Sequence, residues 1–315
     1  MLTTNLGAGG PVCGRIGLGT MGMSFAYDPG SRDDSTSESV IRQAVDLGVT
    51  LIDTADVYGP FTNEELVGRA LRGRRSEVVL STKGGVRFDG NDFSLNGRPE
   101  YLRSALEASL RRLGTDHVDI YFLHRVDPDV PVEESWGALA QLVAAGKARH
   151  IGISEMALDE LQRAHRVHPV QAVQSELSLF TRDFLADVVP YCAERGIAFL
   201  CHSPVGGGLL TGRYTTPADL ERGDFRAQMP RFTEEALAAN RLLVDAVRAI
   251  GRRHGVTPAQ VALAWLLAQG EHVIPIPGTK NPKYLAENAA AADVTLSGEE
   301  LAELNALPAP VGARE

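Results

Sequence analysis

The chain has 315 residues, of which 44% are hydrophobic and 23% are charged, a balance typical of a globular protein with a sizeable core. Its 31 Lys and Arg residues against 40 Asp and Glu residues give a formal net charge of −9, which argues against a nucleic-acid partner. No run approaches the roughly 18 apolar residues of a membrane helix, and no basic segment precedes an apolar one at the N-terminus, so we expect neither membrane insertion nor secretion.

Short β-branched runs alternate with longer amphipathic segments along the chain, which is typical of parallel strands joined by helices. Strands are predicted at 15–20, 50–53, 78–82, 118–124, 150–154, 172–174, 198–202 and 273–277. Helices are predicted at 35–47, 98–113, 132–145, 182–195 and 257–268, because apolar residues recur at helical spacing and Gly or Pro residues mark the ends.

Three further segments complete this pattern. Segments 2–6 and 12–15 flank a Gly-rich turn and predict an N-terminal β-hairpin that closes one end of a barrel, and 233–254 and 297–307 predict additional helices. We therefore predict a single α/β domain over 1–315, a (β/α)8 TIM barrel with an N-terminal β-hairpin and extra helices.

Reactive side chains fall at the ends of three successive predicted strands. Asp53 ends the second strand and Tyr58 follows it, Lys83 follows the third, and His124 ends the fourth. Because strand ends meet at one mouth of such a barrel, we predict that these four side chains act together. A carbonyl reduction needs a proton for the developing alkoxide, and Tyr58 is the candidate donor.

The three other side chains have matching roles in this hypothesis. Lys83 would lower the pKa of the Tyr58 phenol, Asp53 would hold the ammonium in place, and His124 would hydrogen-bond the carbonyl oxygen. Taken singly, a tyrosine after a strand is usually a packing residue and a rim lysine is often a surface ion pair. The set of four favours catalysis over these alternatives.

The same segments resemble the aldo-keto reductases, particularly their bacterial and plant branches. The likeness lies in 53–59 (DTADVYG), 81–83 (STK) and 124–127 (HRVD), and it extends to 17–23, 146–155 and 275–280. It implies reduction of an aldehyde or ketone to the alcohol by NADPH, bound across the barrel mouth without a Rossmann fold, with Tyr58 as general acid. Lys280 offers a cation to a 2′-phosphate, so NADPH is expected rather than NADH.

The resemblance also implies which positions contact cofactor and substrate. The cofactor positions are Gly19, Thr20, Met21, Asp53, Ser154, Gln174, His202, Ser203, Pro204, Val205, Gly206, Gly208, Leu209, Gly278, Thr279, Lys280, Glu287 and Asn288. The substrate pocket is expected to include Phe25, Tyr58, Phe88, His124 and Arg125. A run of glycines such as 206–208 lets backbone amides approach phosphate oxygens, although such a run alone is more often a flexible turn.

Four positions depart from the family pattern. His202 stands where many relatives carry an aromatic residue that stacks on the nicotinamide, and we expect a neutral imidazole to stack there instead. Glu155 stands where some branches have an asparagine, Asn281 where related sequences often have an arginine, and Gly207 where a basic residue is frequent.

Two other functions remain open from the sequence. Barrels of this family also resemble the β-subunits of potassium channels, which predicts a cofactor-sensing binding subunit with little turnover. A structural barrel without activity is a third interpretation.

The aromatic loops at 23–28, 84–98 and 211–232 suit a small or medium carbonyl compound. The histidines are scattered and the cysteines lack the spacing of metal ligands, so we predict no metal site. The three cysteines are odd in number and form no CxxC motif, which indicates a reducing compartment and predicts a cytoplasmic location. The sequence does not decide the oligomeric state.

Overall fold

The computed structural model describes residues 1–90 and 92–312. Its strands are β1 (Thr3–Asn5), β2 (Val12–Gly14), β3 (Leu18–Gly19), β4 (Leu51–Asp53), β5 (Val79–Gly84), β6 (Val86–Phe88), β7 (Phe93–Leu95), β8 (Val118–Leu123), β9 (Ala148–Ser154), β10 (Ala172–Glu176), β11 (Ala198–His202) and β12 (Val273–Pro275). Its helices are α1 (Met21–Ser24), α2 (Asp34–Asp46), α3 (Thr62–Ala70), α4 (Pro99–Leu113), α5 (Val132–Ala144), α6 (Leu158–Val167), α7 (Val188–Arg195), α8 (Glu234–Ala239), α9 (Arg241–His254), α10 (Pro258–Leu267), α11 (Pro282–Ala290) and α12 (Gly298–Asn305).

Eight parallel strands form one curved sheet in the order β3-β4-β5-β8-β9-β10-β11-β12. A parallel bridge between Gly19 and Gly278 joins the two ends of this sheet, and Gly17 N donates a hydrogen bond to Pro275 O at 2.9 Å. Amphipathic helices surround the sheet and bury their apolar faces against it. The (β/α)8 barrel predicted from the sequence is confirmed.

Successive strand residues point alternately into the barrel and towards the helices. Leu51, Ile120 and Phe122 belong to the cluster that fills the barrel interior, whereas Ile52 and Tyr121 pack in the outer layer under the helices. This period of two decides which residue beyond the end of each strand enters the barrel mouth.

The N-terminal hairpin of β1 and β2 closes the opposite end of the barrel, as the sequence predicts. Leu6 and Cys13 are fully buried and belong to the same apolar cluster as the interior residues Leu51 and Ile274. The hairpin is fixed to the barrel by the side chain of Gln171, whose Nε2 donates to Leu6 O at 2.7 Å.

The prediction of one helix over 182–195 is wrong. The chain makes a short 3-10 turn over Asp183–Leu185, and α7 begins only at Val188, where the Asp187 side chain accepts a hydrogen bond from Val188 N. Pro190 explains the late start, because proline is tolerated in the first turn of a helix but breaks its interior.

The prediction of one helix over 233–254 is also wrong, since Asn240 divides it into α8 and α9. The buried Asn240 side chain donates to Val311 O and accepts from Val311 N, both at 2.8 Å. The break therefore lies where this asparagine hydrogen-bonds to the C-terminal segment.

The region 84–98 also differs from a plain loop, because β6 and β7 pair within it as an antiparallel hairpin.

Candidate active site

A cavity of about 950 Å³ opens at the carboxyl ends of the barrel strands. Side chains point alternately inward and outward along each strand, and this explains which residues form the floor of the cavity. A residue two positions beyond an interior residue points the same way and lies at the mouth. This register brings Asp53, Lys83, His124, Ser154, Gln174, Glu176 and His202 to the inner face. The cavity then continues past the 207–208 loop to Lys280, Glu287 and Asn288.

Lys83 lies at the centre of the predicted catalytic group. Its side chain is 1% exposed, and Nζ donates to Asp53 Oδ2 at 2.5 Å, to Thr54 O at 2.8 Å and to Tyr58 Oη at 3.2 Å. Asp53 also accepts from Ser81 Oγ at 2.7 Å and from Gln174 Nε2 at 2.9 Å. The buried ion pair is thus fully hydrogen-bonded, the condition under which buried charges are tolerated.

Burial raises the pKa of Tyr58 above its ordinary value, and the nearby Lys83 ammonium offsets this only in part. Lys83 thus acts in the expected direction, but burial outweighs it, so the net pKa of the phenol is raised and not lowered as the sequence-based hypothesis expects. Burial acts to lower the pKa of Lys83, but Asp53 and Tyr58 outweigh it and the pKa lies above the usual lysine value. At neutral pH the phenol is protonated beside a charged ammonium, so it can give up a proton to an acceptor in the cavity.

His124 lines the cavity beside Tyr58, with their rings edge to face and their centroids 6.0 Å apart. Burial, together with the charges of Lys83 and Arg125, lowers the pKa of His124 well below the usual histidine value. Its Nδ1 is buried and has no hydrogen-bond partner among the residues that the structure describes. The ring is therefore neutral, and it can act on a bound group by hydrogen bonding rather than as a cation.

Most of the predicted cofactor positions line the same cavity. These are Gly19, Thr20, Met21, Asp53, Ser154, Gln174, His202, Ser203, Pro204, Val205, Gly208, Gly278, Thr279, Lys280, Glu287 and Asn288. Gly206 and Leu209 are buried outside the lining. Gly206, Gly207 and Gly208 have φ values of 61°, 68° and 101°, so this turn requires glycine at consecutive positions, and the backbone of Gly207 and Gly208 faces the cavity.

The predicted substrate positions are divided. Tyr58, His124 and Arg125 line the cavity, whereas Phe25 and Phe88 pack around Phe93 of the β6–β7 hairpin, with ring centroids 6.0 and 5.0 Å from Phe93. The structure therefore does not bring Phe25 and Phe88 into the cavity wall.

Several charged lining residues were not assigned to the site from the sequence, among them Glu176 and Arg226. Glu176 could have been found, because it follows Gln174 by two positions on β10 and so faces the same way. Arg226 carried no such signal, because it lies in the irregular segment between β11 and α8.

A group of ion pairs and hydrogen bonds, here named the cavity latch (Asp28, Asp224, Arg226 and Lys280), joins three loops that line the cavity. Arg226 Nη2 lies 2.9 Å from Asp28 Oδ1 and 2.7 Å from Asp224 Oδ2. Asp28 N donates to Asp224 at 2.8 Å, and Lys280 Nζ donates to Asp28 O at 2.9 Å. The latch therefore ties the loop after β3 to the loop after β11 through Arg226, and to the loop after β12 through Lys280.

Two further properties concern the part of the chain that the structure describes. Over residues 1–90 and 92–312, none of the helices combines the length and apolar character needed to cross a membrane. In the same ranges, no three His, Cys, Asp or Glu side chains are grouped so that they could hold a metal ion.

Known proteins share both the sequence and this fold. The sequence model described as the Aldo/keto reductase family matches residues 15–309. The Schizosaccharomyces pombe protein named aldo-keto reductase yakc, with NADP(+) in its name, is 42% identical over 296 residues, covering 92% of this chain and 86% of that protein. The structure of glycerol dehydrogenase from Gluconobacter oxydans is 29% identical with a TM-score of 0.85, covering 96% of this chain and 94% of that one. An aldo-keto reductase from Klebsiella pneumoniae in complex with NADPH is 28% identical with a TM-score of 0.74, covering 99% of this chain and 97% of that one. The chain therefore belongs to the aldo/keto reductase family.

Proposed function

We propose that the protein reduces an aldehyde or ketone to the corresponding alcohol with NADPH, and that Tyr58 is the general acid. The observation that carries this proposal is the 3.2 Å contact between Tyr58 Oη and Lys83 Nζ at the floor of a large cavity. A protonated phenol beside a fixed ammonium, with a neutral imidazole next to it, is suited to meet a developing oxyanion.

The residues of the cavity fit a nicotinamide cofactor in shape and chemistry. The glycine turn at 206–208 presents the backbone of Gly207 and Gly208 to the cavity, which suits phosphate groups, and Lys280 adds a cation near Glu287 and Asn288. When bound, NADPH supplies a hydride to the carbonyl carbon. The NADP(+) in the name of the yeast relative and the NADPH complex of the Klebsiella protein favour NADPH over NADH.

The side chains of this protein supply the proton that the carbonyl oxygen needs. Tyr58 donates its phenolic proton to the carbonyl oxygen as negative charge develops there, and Lys83 stabilises the resulting phenolate through their hydrogen bond. Asp53 keeps the ammonium charged and oriented. His124, held neutral by its surroundings, donates a hydrogen bond to the same oxygen and so positions it against Tyr58.

A turnover assay tests this function. The purified protein is mixed with NADPH and a panel of small aldehydes and ketones, and the loss of reduced-cofactor absorbance is followed over many equivalents. Continuous oxidation of NADPH with formation of the matching alcohol is expected for at least one member of the panel. Tight binding of NADPH with at most one equivalent consumed across the panel would instead identify a cofactor-sensing subunit.

The cavity latch leads to a prediction about cofactor exchange. Asp28→Asn removes one charge from the contact with Arg226 while keeping a residue that tolerates the positive φ of 41° at this position. Weaker joining of the two loops should let NADPH leave about tenfold faster, as expected when one member of a charge pair is neutralised. Stopped-flow displacement of bound NADPH measures this rate.

The matched control for this prediction is Asp34→Asn, which neutralises a carboxylate paired with Arg69 on the protein surface. This variant should release NADPH at the wild-type rate. Equal release rates for wild type and Asp28→Asn would show that the latch does not govern cofactor exchange.

A further inference from the structure

Arg125 places a positive charge in the cavity beside the proposed catalytic residues. It lies two positions beyond β8, directly after His124, and its half-buried side chain lines the cavity. Its Nη1 donates a hydrogen bond to His124 O at 2.9 Å. Burial is the largest influence on the pKa values of Tyr58 and His124, and the charge of Arg125 acts on both of them towards lower values. The guanidinium therefore lies near the two side chains that are proposed to meet the carbonyl oxygen.

Arg125 lies across the barrel from the residues that are proposed to hold the cofactor phosphates. In the closed order of eight strands, β8 and β12 are four strands apart, which places them on opposite sides of the barrel. Lys280 follows β12, and the glycine turn at 206–208 follows β11, the neighbour of β12. A charge beyond β8 is therefore placed to act on the substrate and not on the cofactor phosphates.

The carboxylates that line the cavity are engaged by other basic side chains. Arg125 takes part in none of the ion pairs formed within residues 1–90 and 92–312. Each carboxylate in the described lining has a different basic partner: Asp28 pairs with Arg226, Asp53 with Lys83, Glu176 with Arg231 and Glu287 with Lys283. The positive charge of Arg125 is therefore available to an anionic group that enters the cavity.

The loop that carries Arg125 is fixed to its neighbours. Asp127, two positions further along, accepts hydrogen bonds from Gly97 N at 2.8 Å and from Asp129 N at 3.0 Å. Ser135 Oγ donates to Gly97 O at 2.6 Å, which joins α5 to the same contact. A side chain on a fixed loop loses less conformational freedom when it binds a ligand, so this arrangement favours binding.

We propose that Arg125 makes the protein selective for substrates that carry a carboxylate close to the carbonyl group, such as short ω-oxo acids and carboxybenzaldehydes. A guanidinium can donate two parallel hydrogen bonds to one carboxylate, and such a pair fixes the orientation of the bound molecule. A carboxylate held by Arg125 keeps the carbonyl oxygen of the same molecule near Tyr58 and His124. This proposal rests on the proposed function, because it names the substrate class of that reaction.

The test compares kcat/KM for aldehyde acids with kcat/KM for the methyl esters of the same acids. The panel consists of 4-oxobutanoate, 5-oxopentanoate, 3-carboxybenzaldehyde and 4-carboxybenzaldehyde, each paired with its ester. The ester is close in size to the acid but carries no charge, so the ratio of the two values reports the contribution of the carboxylate. Rates of NADPH oxidation are measured at pH 7.0, where these acids are ionised because carboxyl groups titrate near about pH 4.

Two variants are compared with wild type. Arg125→Gln removes the charge but keeps a polar side chain with an N–H donor. Arg213→Gln is the matched control, because Arg213 lines the same cavity but lies in the loop after β11, next to the Tyr214 ring. Any effect of either variant on cofactor binding acts on the acid and on its ester alike, so it cancels in the ratio.

Wild type should prefer at least one acid of the panel over its ester by about tenfold or more. In Arg125→Gln this preference should fall by about tenfold to a hundredfold, the factor that corresponds to the loss of one hydrogen-bonded charge pair. The fall should come mainly from a higher KM for the acid, because the carboxylate is bound away from the reacting atoms. Arg213→Gln should keep the wild-type ratio.

The possible failures are distinct. A ratio near one for every acid and ester pair in wild type would overturn the proposal, and so would a high ratio that persists in Arg125→Gln. An equal fall in Arg213→Gln would also overturn it, because the preference would then come from the overall charge of the cavity. Absence of turnover with the acids, the esters and the neutral aldehydes alike would instead contradict the proposed function.

Discussion

Replacing Tyr58 with phenylalanine should lower kcat for carbonyl reduction by about a thousandfold, within the range that general acid catalysis contributes. The hydroxyl removed is the one that hydrogen-bonds to Lys83 at 3.2 Å, and the ring that remains still packs edge to face with His124. A substrate oxygen would then face an ammonium and a neutral imidazole but no phenolic proton. The initial rate of NADPH oxidation with a saturating aldehyde measures the loss.

Cofactor binding provides the second measurement for this variant. The dissociation constant for NADPH should stay within about twofold of wild type, because the substitution removes one hydroxyl from the substrate end of the cavity. Tyr101→Phe is the matched control, since Tyr101 donates to Val86 O at 3.3 Å and lies outside the cavity lining. Near-normal turnover by Tyr58→Phe would contradict the assignment of Tyr58 as the acid.

The grouping of the proposed catalytic residues could be predicted from the sequence because the physical rule behind it is local. A strand that alternates inward and outward places its terminal inward residue at the barrel mouth, and this rule alone brings Asp53, Lys83 and His124 together. Glu176 obeys the same rule on β10 and was overlooked only because the predicted strand ended at 174.

The electrostatics of the site could not be predicted in the same way. The charge of Lys83 is visible in the sequence, but the burial of the Tyr58 phenol is a property of the assembled fold, and burial is the larger influence on its pKa. The hydrogen bond between Glu155, which follows β9, and His202, which ends β11, likewise joins residues that are 47 positions apart in the chain. No local pattern in the sequence predicts such a contact.

A long-range contact also explains one of the two helices that were predicted too long. The break at Asn240 depends on hydrogen bonds to Val311, which lies 71 residues away in the chain. The start of α7 is different, because Pro190 is a local signal: a proline is tolerated in the first turn of a helix but not in its interior, so it favours a helix that begins at Val188.

The free energy of unfolding of Asp56→Asn, taken relative to that of wild type, should increase as the pH rises from 4 to 8. Burial, reinforced by the nearby Glu64 carboxylate, raises the pKa of Asp56 to about 8, and its Oδ1 has no hydrogen-bond partner among the described residues. In the unfolded chain an aspartate titrates near 4, so between these values the native state binds a proton that the unfolded state releases. The contribution of this group to the free energy of unfolding is therefore fully present below pH 4 and is lost as the pH rises to 8. The total is on the order of 5 kcal/mol.

The difference in unfolding free energy between Asp56→Asn and wild type is the quantity to measure, because most other titrations contribute equally to both proteins and cancel. Denaturant unfolding at pH 4.5, 6, 7, 8 and 9 should give a difference that grows steadily and then levels off above about pH 8. A loss of stability caused by the asparagine amide beside Glu64 is the same at every pH. It therefore moves the whole curve of the difference against pH without changing the slope. The exposed substitution Asp159→Asn should give a flat difference over the same range. Parallel stability curves for Asp56→Asn and wild type would mean that Asp56 is ionised in the native protein, and that a compensating charge holds it so.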